Sequence, residues 1–393
     1  MGKKKPGKGR RSPHRPPTRH LRPVPARRGL STRDPATDEA HEASPQSQEL
    51  FQSLRQALRS DEPLDLLATV SSLVNALDAR MRNPFEPPAP TLPTLDELVD
   101  SFVGVDYAET TAALTVLQSF TADELLAVRL GKVLQGRRQP MPAWLTNLEA
   151  ARVGRVMEMT HVLGDGDDYL LELLLPTGET LTVLVYVDHN MGGIVKDAFV
   201  IPDSLDAVQA VVQEKIDDPE TTLADLDPAV ARAEVERAID WGARTVPQPQ
   251  TDSWPAARPL VEWVLRKLPT GGQVRPTRVW SEEELASLRE EFFGSPYAED
   301  VDGDDEHGLL EDITWYAAGW GSRDPLRWSE VRVEILLTDW IPRKVVADPR
   351  YLAKAPALLA GSSRSATTGW ACAPPSPRGS SRRSTGGRPS TSA

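Results

Sequence analysis

The chain has 393 residues, enough for two or three folded units at the usual ~100–200 residues each. Its 39% apolar and 26% charged content suits a globular protein, and no run approaches the ~18 apolar residues of a membrane helix. The single cysteine, Cys372, excludes an intramolecular disulfide and a thiolate metal cluster. The basic N-terminus is not followed by the apolar stretch of a secretory signal, so a cytoplasmic protein is expected.

Charge is spread unevenly. Residues 1–28 carry eleven Lys and Arg and no acid, and residues 361–393 carry five Arg and no acid. The stretch between them holds all 57 acids against 29 basic residues, a net charge of −28. Such a body repels nucleic acid and anionic membranes, so any affinity for them is expected from the ends. Arg outnumbers Lys 35 to 10, the bias of a high-GC genome.

In chain order, residues 1–43 form a Pro-rich basic and polar arm, too poor in apolar residues to fold alone. Residues 44–148 read as all-helical. Ser44–Pro45 is a start signal, followed by Leu50, Phe51, Leu54 and Leu58 on one face. Leu66, Val70, Leu73 and Leu77 mark a second helix. After the Pro-rich connector 83–93, Thr94 with Glu97 and Thr121 with Glu124 read as capping boxes, flanking a helix at 108–120.

The apolar period then changes from 3.6 to 2. Segments 152–163, 169–176, 179–188 and 194–201 read as four strands joined by short Gly-rich turns, hence an antiparallel meander. Helices at 204–216 and 228–243 are expected to cover it, so 149–246 reads as a sheet with helices. The Pro-rich stretch 245–255 reads as a boundary. Residues 255–360 form a Trp-rich helical domain with segments at 256–268, 281–293, 309–318 and 329–340, the last stopped by Pro342. The fold class is therefore α+β, with a helical N-terminal segment, a central meander with covering helices and a C-terminal helical domain. Residues 361–393 read as a low-complexity tail. A one-nucleotide shift near Gly361 turns its start into an amphipathic continuation of the preceding helix, so a frameshift there is expected and resequencing the locus tests it.

Four places carry candidate chemistry. In VYVDHNMGG, Asp188 and His189 are candidate catalytic residues, with Asp188 orienting His189 as a general base. The plain alternative is a turn in which Gly192 and Gly193 supply positive φ and Asp188 pairs with Lys196 across the hairpin. His161 and His189, with Asp165 or Asp197, make a candidate His₂-carboxylate metal site. Asp300, Asp302, Asp304 and Glu311 match calcium-loop positions one, three, five and twelve, but Asp305 replaces the required Gly. Trp315, Tyr316 and Trp320 beside Arg323 and Arg327 read as helix packing, with an aromatic ligand platform as the alternative.

The arm offers Lys3, Lys4, Lys5, Lys8, Arg10 and Arg11 as candidate phosphate contacts, with no aromatic among them to read bases. No cofactor is expected. The leading expectation is a non-enzymatic interaction or regulatory protein whose arm makes weak contact with nucleic acid or the ribosome, alongside an unknown protein partner and no membrane. The rival is a hydrolase-like or metal-dependent enzyme centred on Asp188 and His189.

LVEWVLRKLPTGGQVRPTRVW, LRWSEVRVEILLTDWIPRKVVADPRYLAKAPALL and VYVDHNMGGIVKDAF are similar to segments of uncharacterised proteins of high-GC actinobacteria. That resemblance implies no activity.

Overall fold

The computed structural model describes residues 45–78, 93–245, 251 and 253–370. The basic arm, connector 83–92 and everything from residue 371, Cys372 included, lie outside the described residues.

The N-terminal region is helical, as expected: α1 (Pro45–Arg59), α2 (Pro63–Leu77), α3 (Leu95–Val103), α4 (Ala108–Phe120), α5 (Glu124–Gly136) and the short α6 (Ala143–Thr146). Thr94 and Glu97 form the expected capping box. At α5 the cap is Asp123 rather than Thr121; its carboxylate accepts from the amides of Leu125 and Leu126. Asp ranks above Thr at this position, so the stronger acceptor takes it. α4 is buried nearly all round, and its buried Glu109 is paired with Arg55 of α1.

The sheet follows: β1 (Arg152–His161), β2 (Gly166–Leu174), β3 (Thr180–Asp188) and β4 (Ile194–Ile201). After α7 (Leu205–Lys215) a fifth strand, β5 (Thr221–Asp225), returns against β1. The order is β4-β3-β2-β1-β5, antiparallel throughout. β5 has no sequence signature beyond five half-polar residues at an edge. One sheet face packs against α8 (Pro228–Ala243) and α9 (Trp254–Arg266), in the same core as the N-terminal helices. On the other face Met157 and Leu170 of the sheet pack against Leu205 and Val208 of α7.

α9 belongs to that first core, not to the Trp-rich region with which its sequence position groups it. Pro259 inside α9 disturbs the helical ladder, and Ser71 of α2 inserts at this point. Its hydroxyl donates to Ala256 O at 2.6 Å and accepts from Leu260 N at 3.1 Å, bridging the pair that would normally bond each other.

Residues 268–280 then run as a strap without helix or strand. They lead to a second core built from α10 (Glu282–Phe293), α11 (Asp304–Gly319), α12 (Glu330–Ile335), α13 (Ile341–Lys344), α14 (Pro349–Leu352) and α15 (Ala355–Trp370). Pro342 does not stop the helix at Trp340. A π turn, Leu336–Trp340, bridges α12 to α13, with Ile341 N bonded back to Leu336 O. Nor does helix end at Leu359. α15 continues through the first ten residues of the expected tail, because Leu358, Leu359 and Gly361 are buried against the second core and propagation from an anchored turn is cheap.

Candidate functional site: an arginine- and tryptophan-lined cleft

The β3–β4 turn is the hairpin its residues dictate. Gly192 and Gly193 adopt φ of 92° and 78°, a region that costs a side-chain-bearing residue strain. Asp188 is buried and spent on the turn. Its carboxylate accepts from Met191 N at 3.0 Å and pairs with Lys196 at 2.9 Å, the expected cross-strand pair. It does not orient His189. Successive strand residues point to opposite faces, and His189 turns instead to Asp167 of β2, with Nε2 to Oδ2 at 2.9 Å. The carboxylate–imidazole pair exists, then, but with a different acid.

Asp167 belongs to a dense charged cluster on the sheet face beneath α8. Arg275 of the strap reaches Asp167 at 3.5 Å and donates to the Tyr169 hydroxyl at 2.9 Å. It also donates to both Glu158 carboxylate oxygens and, through its backbone N and its Nε, to Glu234 of α8. Burial works against the Arg275 charge, but its bond to Glu158 and the surrounding negative groups outweigh burial and raise its pKa. Burial also pushes the Tyr169 hydroxyl up, so it stays protonated. The strap reaches this cluster because Gly272 lies directly on α8: a Cβ there would sit 1.9 Å from Ala229 O.

The second core closes the site from the other side. Asp165, in the β1–β2 turn, accepts from Asn190 Nδ2 and Ser329 Oγ, both at 2.7 Å. It thereby ties two sheet turns to the N-cap of α12. Buried Arg332 gathers the loop 317–327 by donating to the carbonyls of Trp320 at 2.9 Å, Asp324 at 2.8 Å and Arg327 at 2.6 Å. Burial lowers its pKa, and five oxygens compensate the buried cation. In that loop Arg323 has φ of 51°, the one non-glycine positive φ among the described residues.

Between these walls lies a cleft of 1340 Å³. The floor is the His189–Gly193 turn with Asp167. One wall is α8, which presents Glu234, Arg237 and Trp241 at helical spacing. The strap supplies Arg275 and Arg278, and the second core supplies Trp320, Arg323, Arg327, Trp340, Arg343 and Lys344. Seven cations line it against three carboxylates, Asp167, Glu234 and Asp339. Most of the cations are paired: Arg237 with Glu234, Arg278 with Glu284, Arg327 with Asp324, Arg343 with Asp339. Arg323 and Lys344 make no side-chain hydrogen bond or ion pair with any described residue. Two buried donors in the lining, Arg237 Nε and Trp340 Nε1, also bond no described protein group.

The other expected sites come apart. His161 lies on β1 beside β5, where Nδ1 accepts from Leu163 N at 3.1 Å and Nε2 meets Asp218 at 3.1 Å and Glu220 at 3.9 Å. Strand alternation puts it on the α7 face, away from the His189–Asp167 pair, and Asp165 and Asp197 are bonded elsewhere. Among the described residues, His161, Asp218 and Glu220 are the group with metal-ligand spacing, and it excludes His189. The calcium-loop match fails on backbone shape. Helix α11 begins at Asp304, so Glu311 lies about 10 Å further along its axis at 1.5 Å per residue. Asp302 is bonded to His307 at 2.8 Å and Asp305 to Lys354 at 2.8 Å instead. Lys3, Lys4, Lys5, Lys8, Arg10 and Arg11 lie outside the described residues. Of the aromatic platform, Tyr316, Trp320, Arg323 and Arg327 do line the cleft, while Trp315 packs on Trp320 and Trp340.

Asp167, Glu234, Arg237, Trp241 and Arg275 went unread as site residues. Asp167 falls within GDGDD, which reads as an ordinary turn, and the others sit within a helix and a strap without local motif.

No protein-family model matches the chain, and no curated protein and no solved structure matches it. No helix among the described residues is long and apolar enough to cross a membrane.

Proposed function

We propose that the chain is a non-enzymatic interaction or regulatory protein that holds an anionic ligand in this cleft, its basic arm adding weak, sequence-independent contact with nucleic acid or the ribosome. One observation carries the reading: in a body of net charge −28, the residues lining this cleft carry an excess of cations, seven to three carboxylates. A cavity walled by low-dielectric protein focuses that local field and raises the concentration of counter-ions within it. Arg323 and Lys344, the two lining cations without partners among the described residues, are the groups such a ligand neutralises.

The test uses tripolyphosphate as a generic anion, titrated calorimetrically at low salt. Arg323→Glu with Lys344→Glu changes two exposed side chains and leaves both cores untouched. Wild type is expected to bind, and the double variant at least tenfold more weakly. Equal affinities would remove the cleft from the function.

The His189–Asp167 pair favours a second reading, acid–base catalysis on the bound anion. A carboxylate on one ring nitrogen fixes the tautomer and the orientation of the ring. Under this reading Asp167→Asn lowers any hydrolytic turnover about 10²-fold or more, the usual scale of general-base catalysis. Asp188→Asn then acts only through the stability of the turn. Equal losses in the two variants would discard the catalytic reading.

A further inference from the structure

We infer that the cleft is built for a nucleoside phosphate, with the base against Trp241 and the phosphate at Arg323 and Lys344. This rests on the anionic-cleft reading above and names its ligand.

The lining is not that of a simple polyanion site. Trp241 is 49% exposed, although tryptophan is generally buried for most of its surface. It stands on the cleft-facing stripe of α8 that also carries Glu234 and Arg237. One edge is fixed by the glycine turn, since a Cβ on Gly192 would come within 3.3 Å of its Nε1. An indole held at its edge and half open to a cavity offers a π-surface to a planar ring, and such stacking tolerates any base.

Phosphate recognition requires cations and N–H donors without other partners. Arg323 and Lys344 are the lining cations without a side-chain partner among the described residues. Arg323 is held in a left-handed backbone conformation, and its carbonyl accepts from Trp280 Nε1 at 3.0 Å.

At 1340 Å³ the cleft exceeds the ~300–1,000 Å³ of most small-ligand pockets, so base, sugar and phosphates fit together. The chemistry is shared by a free nucleotide and by the phosphorylated end of a single strand.

The experiment titrates the full chain with ATP, with tripolyphosphate and with a 5′-phosphorylated single-stranded oligonucleotide, all without magnesium, by calorimetry and tryptophan fluorescence. ATP is expected to bind at least tenfold more tightly than tripolyphosphate. Trp241→Ala is expected to erase that advantage while leaving tripolyphosphate affinity within twofold. It removes a half-exposed side chain, and circular dichroism with a melting curve verifies that the variant is folded. ATP tighter than the oligonucleotide supports a free nucleotide; the reverse supports a strand end. ATP no tighter than tripolyphosphate overturns the nucleoside assignment and leaves the anionic cleft standing. Binding of none of the three overturns both.

Discussion

Asp167 and Asp168 are neighbours in β2 with opposite circumstances. Asp167 faces α8 and is bonded to His189 and Arg275. Asp168 points to the α7 face opposite Met159 and Tyr186, and no cation pairs with it among the described residues. Burial, with a smaller push from Asp167, raises its pKa from 3.8 to about 6. The folded state therefore holds a proton between pH 4 and 6 that the unfolded chain has released. Stability falls as pH rises through that window and stays reduced above it. Asp168→Asn keeps the shape and removes the charge. Raising a pKa tenfold in affinity for the proton is worth about 1.4 kcal/mol, so the variant is expected to be about 2–3 kcal/mol more stable at pH 7 and almost unchanged at pH 4. Urea unfolding of both proteins from pH 4 to 8 reads the difference. A variant no more stable at pH 7 would mean that the ionised carboxylate costs the fold nothing.

At the scale of elements, legibility follows the range of the interaction. β1 to β4 stand within a few residues of where their alternation puts them, and α4, α8 and α10 match their sequence limits closely, because periodicity and caps are local. β5 escapes notice because a five-residue edge strand draws its stability from β1 and not from its own pattern. α9 is misassigned for a related reason. A Pro-rich stretch before it looks like a boundary, while the residue that recruits it, Ser71, lies 185 positions from its bonding partner Ala256. The cleft is the extreme case. Arg275 bonds partners 41 and 117 positions away, so no spacing rule announces the site. The inserted hydroxyl has a measurable weight. Ser71→Ala leaves Leu260 N and Ala256 O facing a methyl inside the core and is expected to cost about 1–3 kcal/mol. Ser71→Gly, which leaves room for a water to bridge the two groups, tests whether the loss comes from the bond or from packing. A Ser71→Ala midpoint in urea within experimental error of wild type would show that α9 needs no repair at Pro259.

At the scale of the whole molecule, the charge distribution separates two kinds of anion binding that one assay would confuse. The body of −28 opposes approach of any long polyanion, whereas a small ligand inside the cleft meets the local field of its lining. The eleven cations of residues 1–28 carry no such pattern of aromatics and acids among them, so their contact with nucleic acid is expected to be pure counter-ion release. If six of them meet phosphates, log K falls against log salt with a slope of about −5 for duplex DNA. Removing residues 1–28 is expected to abolish duplex binding measured by fluorescence anisotropy. Tripolyphosphate affinity should stay unchanged, because the cleft is assembled wholly from residues 164–344. Arg323→Glu with Lys344→Glu should do the reverse, sparing the duplex slope and weakening the small anion. If deletion of the arm leaves the slope intact, the duplex is held by the body, and the division of labour between arm and cleft is wrong. If one change abolishes both activities, arm and cleft act on the same ligand, and a single strand running from the cleft to the arm becomes the binding mode to test.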